Sequence, residues 1–101
     1  MVPVTRDRAE PSFIPVVEAL RAFHRNDYGE AVTLLLQTRW DLWQIGGSHA
    51  QRDVVDWTLT EAAVRAGQRG IARSLAHERL AARPRSAPNR RFLHHAEAIA
   101  G

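Results

Sequence analysis

Apolar residues recur along this chain at helical spacing, and no segment shows the sustained alternation of a strand. Phe13, Val16, Val17, Leu20 and Phe23 fall on one face and predict a first helix over about 13–25. Ser12 caps it, and Pro15 falls in the first turn, where a missing amide costs little. Asn26-Asp27 breaks the pattern, and Asp27 with Glu30 reads as the capping box of a second helix over about 27–45. There Tyr28, Ala31, Val32, Leu35, Leu42 and Trp43 form one stripe, while Leu34, Leu36 and Trp40 lie off it. A helix apolar on several sides is packed on several sides, so this one is expected to be central or to meet a second molecule.

The run Q-I-G-G-S-H-A-Q-R-D-V-V-D-W-T-L, residues 44–59, organises the rest of the chain. Gly46-Gly47 suits a helix end, because glycine takes the left-handed conformation found after a last turn. Ser48 and Gln51 form the S-x-x-Q capping box of a third helix over about 49–66. Its stripe of Val55, Leu59, Ala62, Ala63 and Ala66 is narrow and small, which lets a neighbouring helix approach closely. Gly67 ends it. A fourth helix over about 69–83 carries Ile71, Ala72, Leu75, Ala76, Arg79 and Leu80, and stops at Arg83-Pro84, since the residue before proline is pushed out of helical geometry. Ser86 and Pro88 open a short fifth helix with Phe92, Leu93, Ala96 and Ile99 inward.

The first helical pair matches the second. Aligning R-N-D-Y-G-E-A-V-T-L-L-L with A-G-Q-R-G-I-A-R-S-L-A-H puts Asn26 on Gly67, Ala31 on Ala72 and Leu35 on Ala76, a spacing of 41. Self-similarity at roughly 20–50 residues marks stacked supersecondary units. The second unit runs Leu59, Ala63, turn Gly67, Ala72, Ala76, closing Pro84, and resembles a tetratricopeptide repeat. The first has N-D-Y-G-E-A where such repeats commonly read G-D-Y-x-E-A. I-G-G-S-H-A-Q-R-D-V at 45–54, the R-A-G and A-R pieces of 65–73, and R-P-R-S at 83–86 are similar to the C-terminal part of the tetratricopeptide repeat protein 38-like family, over roughly residues 13–93. Members of that family are longer, with further hairpins upstream, so the chain reads as an excised domain or a short stand-alone relative. The resemblance implies an all-α fold, a short α-solenoid of two tetratricopeptide-like hairpins plus a C-terminal capping helix. It also implies a binding role, and it brings no catalytic residue and no cofactor.

Composition sharpens this picture in three places. At 101 residues the chain is one domain, expected to span 12–101 behind a flexible leader at 1–11. The leader has mixed charge and no apolar core, so it is no secretory signal, and no window approaches the ~18 apolar residues of a membrane span. Cysteine is absent, which excludes disulfides and thiolate chemistry and fits the cytoplasm. All 14 basic residues are arginine, a usage a GC-rich genome explains. Net charge is +3 but uneven: residues 1–61 carry six Arg against nine Asp and Glu, and residues 62–101 carry eight Arg against two Glu. Such asymmetry suits an acidic partner.

Catalytic and metal signatures are missing. His94-His95 point to different helix faces, no H-x-x-x-H or H-E-x-x-H occurs, no serine sits in G-x-S-x-G, and Gly46-Gly47 follows no strand. The expectation is a non-catalytic module with no metal and no cofactor. In repeats of this kind the first helix of each pair lines the concave face, which makes His24, the i, i+4, i+8 line Trp57, Glu61 and Arg65, and the pair Arg91 and His95 groove candidates. They would hold an extended peptide or acidic tail; a solvated face with a Glu61–Arg65 pair is the alternative. His49 and Arg52, in the S-H-A-Q-R-D corner with Asp53 and Asp56, would contact ligand at the groove mouth or, the favoured reading, brace adjacent hairpins. The functional expectation is a protein–protein interaction or scaffold module, self-associating through helices one and two. The alternative is a nucleic-acid-binding domain using the arginine-rich C-terminal half, Arg65, Arg69, Arg73, Arg79, Arg83, Arg85, Arg90 and Arg91.

Overall fold

A computed structural model of the chain describes residues 13–45 and 49–100; of residues 13–15, 43, 45 and 49–51 it describes the backbone alone. Among the described residues the chain forms five helices and no strand: α1 Phe13–His24, α2 Tyr28–Ile45, α3 His49–Arg65, α4 Arg69–Ala82 and α5 Ala87–Glu97. The fold is all-α, and the helix bounds agree with the periodicity to a residue or two. The leader, the Ser12 cap, the Gly46-Gly47 hinge and the Ser48–Gln51 capping box lie outside the described residues.

The repeat is written most plainly in the backbone of two turns. Asn26 and Gly67, aligned in the sequence, are both left-handed, with φ of 64° and 74°. In the first turn the Asp27 amide donates to the Ala22 carbonyl at 2.8 Å and the Asn26 amide to Phe23 at 3.0 Å. In the second the Gln68 amide donates to Ala63 at 3.1 Å and the Gly67 amide to Val64 at 3.1 Å. Each is the paired bonding of a Schellman motif, which satisfies carbonyls orphaned at a helix end. In both of these bonds the donor and acceptor of the second turn sit 41 positions beyond their counterparts in the first. Asn26 takes the left-handed role that glycine fills at 67, and its Oδ1 accepts the Tyr28 hydroxyl at 2.8 Å.

The two hairpins stack in the same direction. Arg39 on α2 reaches Glu78 on α4, 39 positions on, and Arg65 at the end of α3 reaches the Tyr28 hydroxyl, 37 positions back. Both separations are close to the turn spacing, so like positions of the two hairpins lie side by side. Consecutive helices pack on one another, and α5 packs on both α4 and α3. Thus α5 occupies the place of a third first-helix, and the molecule extends 47 × 27 × 19 Å.

Alanines make the seams. Ala19, Ala22, Ala31, Ala62, Ala63, Ala72, Ala76 and Ala96 are fully buried, interleaved with Val32, Leu35, Leu42, Val55, Leu59, Leu75 and Phe92. Small residues at the contact bring helix axes close. This corrects the expected inward face of α1: Val17 and Leu20 are 47% and 45% exposed, and Ala19 and Ala22 take the interior beside Val16 and Phe23. A seam closed by alanines leaves the bulkier pair on the flank. Leu36 and Trp40 of α2, off the main stripe in sequence, are exposed as well. Thr38 and Thr60 are buried, and their hydroxyls donate to the carbonyls of Leu34 (2.9 Å) and Asp56 (2.7 Å) one turn back, so neither is left unsatisfied.

Two of the expected caps form. Asp27 Oδ1 accepts the Glu30 amide at a long 3.4 Å, and Ser86 Oγ accepts the Asn89 amide at 3.2 Å with proline in the first turn of α5. Arg83, before Pro84, leaves helical geometry at φ −140° and ends α4.

Candidate interaction surface

Helix α3 packs against α2, α4 and α5, and arginines tie it to them. Arg79 of α4 lies 5.2 Å over the Trp57 ring of α3 and 5.7 Å over Phe92 of α5, whose rings meet edge to face at 4.9 Å. Its Nε donates to Asn89 Oδ1 at 2.9 Å, and Asn89 Nδ2 donates back to the Arg79 carbonyl at 3.0 Å. A terminal nitrogen lies 3.5 Å from Asp53 of α3. One guanidinium thus joins three helices, with cation–π contacts and a buried amide sharing its faces and edges.

Arg65 makes a second, more exposed knot. It lies 5.3 Å over Phe23 and 5.5 Å over Tyr28, which themselves meet edge to face, and its Nε donates to Glu61 at 2.6 Å. The Glu61 carboxylate, then the Tyr28 hydroxyl, hold its pKa above the ordinary value. Arg39 makes the third, with Nε 3.2 Å from Asp56 and its other arm on Glu78. Burial pushes the Asp56 carboxyl above its usual range, Arg39 opposes that, and nearby Glu78 adds to it. Asp53, Asp56, Glu78, Arg79, Arg83 and Asn89 line an open depression of about 170 Å³, with three carboxylates against two arginines.

The predicted groove residues divide under this geometry. Glu61 and Arg65 pair with each other, as their spacing indicates. Trp57 is engaged by Arg79 and Phe92 yet stays 42% exposed, so one edge remains at the surface. His24 is exposed on α1, and Arg91 and His95 are exposed on α5, a helix that packs on α3 and α4. Arg52 is half-buried on α3, and the His49 side chain lies outside the described part of the chain. Asp53 and Asp56 each take an arginine from another helix, which is the bracing reading of that corner. Among the described residues no cluster suits a metal ion.

Sequence reasoning missed Arg39, Asn89 and the pairing of exposed apolar residues. Arg39 was detectable, because it interrupts an apolar run with a charge that needs a partner. The exposed apolar residues come as one-turn pairs: Val17 with Leu20, Leu36 with Trp40, and Val54 with Trp57. All lie on α1, α2 and α3. No family model matches the chain, and no solved structure matches it significantly. No helix among the described residues is long and apolar enough to cross a membrane.

Proposed function

We propose that the chain is a non-catalytic protein-interaction module of the tetratricopeptide type, working in the cytoplasm and self-associating through α1 and α2. The observation that carries this is the solvent exposure of Val17, Leu20, Leu36 and Trp40 on the two helices of the first hairpin. Large apolar side chains grouped on one part of a small surface mark an interaction site, and Trp is the residue type that most often dominates one. The exposed edges of Val54 and Trp57 on α3, with Glu61 one turn beyond Trp57, then serve a peptide partner as an apolar strip beside a charged pair.

Light scattering across a concentration series tests self-association. The wild-type mass rises with concentration, and Leu20→Glu and Trp40→Glu each return it to the monomer with unchanged circular dichroism. A wild-type monomer at every concentration sinks the self-association.

A further inference from the structure

The exposed apolar residues and the uncompensated charges lie on different parts of the chain. Each exposed large apolar side chain lies on α1–α3, and none lies on α4 or α5 among the described residues. In residues 62–101, Arg65 and Arg79 are taken by Glu61 and Asp53. Arg69, Arg73, Arg83, Arg85, Arg90 and Arg91 form no ion pair among the described residues, and all but Arg73 are exposed. Of the two acids in this half, Glu78 is held by Arg39, which leaves Glu97 alone. Six guanidinium groups therefore stand on one hairpin against one free carboxylate.

We infer that the α4–α5 hairpin is a second binding surface, one that tracks the phosphodiester backbone of a nucleic-acid duplex. A protein partner would want an apolar or aromatic centre, and this hairpin exposes none. A single strand would want aromatic platforms for its bases, and Phe92, the hairpin's one aromatic apart from histidine, is buried beneath Arg79. Closely spaced, sequence-independent charge remains. The 14-residue α4 is about 20 Å long at the helical rise, and a duplex offers about 12 phosphates over that length. Arg83 and Arg85 flank Pro84 in the turn at one end, and Arg69 opens α4 at the other, so the cations span the length of the hairpin. Such a surface binds without sequence preference and releases counterions as it does so.

The test is fluorescence anisotropy with a labelled duplex of about 20 base pairs of mixed sequence, across a salt series. Four or five phosphate contacts predict a log–log slope of about −4, so affinity falls roughly 10²- to 10³-fold between 50 and 200 mM salt. Arg83→Ala, Arg85→Ala and Arg90→Ala are surface changes, and each lowers the slope by about 0.9. Each of these arginine variants self-associates as the wild type does in light scattering, which separates this surface from the α1–α2 site. A slope near zero, or arginine variants that bind like the wild type, overturns the inference. So does tighter binding of the single strand, or equal competition by polyglutamate, which would make the partner an acidic protein.

Discussion

Replacing Arg79 by lysine separates charge from geometry at the junction of α3, α4 and α5. Lysine keeps the positive charge near Asp53, but that carboxylate is 70% exposed, and an exposed pair contributes only about 0–1 kcal/mol. What lysine loses is the planar group. The Asn89 side-chain oxygen loses its Nε donor in a residue 2% exposed, and a buried acceptor left unsatisfied costs about 1–3 kcal/mol. The stacking over Trp57 and Phe92 adds about 0.5–1 kcal/mol for each ring. The expected loss is about 2–5 kcal/mol, out of the roughly 5–15 kcal/mol of a typical domain. Urea unfolding followed by circular dichroism reads this as a midpoint about 1–2.5 M lower, for a slope of about 2 kcal/mol/M. Tryptophan fluorescence is a second probe, because Trp57 lies under the guanidinium. A double-mutant cycle with Asn89→Ala should give at least about 1 kcal/mol of coupling. If Arg79→Lys falls within about 0.5 kcal/mol of the wild type, this account of the junction is wrong.

The turns, the seams and the buried carboxylate give further expectations. Gly67→Ala should cost about 1–2 kcal/mol from backbone strain alone, since φ is +74° and an added Cβ would meet nothing within 4 Å, whereas Asn26→Gly should stay within about 0.5 kcal/mol of the wild type; thermal melts compare the two. Ala63→Leu should cost about 1–3 kcal/mol by overfilling the fully buried α3 seam, and a neutral urea midpoint would contradict the close approach there. Because burial raises the Asp56 pKa above its ordinary 3.8, the folded chain holds a proton there that the unfolded chain has released. Stability from this group is therefore full below about 3.8 and declines as pH rises through the folded value. Asp56→Asn should remove that decline, so its stability relative to the wild type grows with pH across the window, as unfolding free energies measured from pH 4 to 7 would show.

Much of the fold is legible in the sequence because it rests on local signals. Asn26-Asp27, Gly67, Arg83-Pro84 and Ser86 each announce a helix end through the chemistry of one or two residues, and each end is found there. The alignment of Asn26 with Gly67 anticipates a shared left-handed turn down to its hydrogen bonds. Rotation about a helix axis cannot be read in the same way. Val17 lies on the same sequence stripe as Val16, and only the closeness of the neighbouring alanines decides which one turns inward. The site is less legible for the same reason. Trp57 reads as a groove floor, but whether a ring faces solvent or another ring depends on an arginine 22 positions away and an asparagine ten beyond that. The Glu61–Arg65 pair is legible because one turn of helix fixes it.

The matched bonding at the ends of α1 and α3 also sets a natural interval for change in this architecture. Because the paired bonds of this motif recur at an interval of 41 residues, inserting or removing a block of that length keeps the downstream helices in the same rotational phase. A block of any other length rotates the downstream helices and forces alanine seams against side chains they have no room for. Stability that accumulates from neighbour to neighbour lets such an array lengthen or shorten by whole steps. The gene can therefore gain or lose hairpins without redesigning the ones that remain.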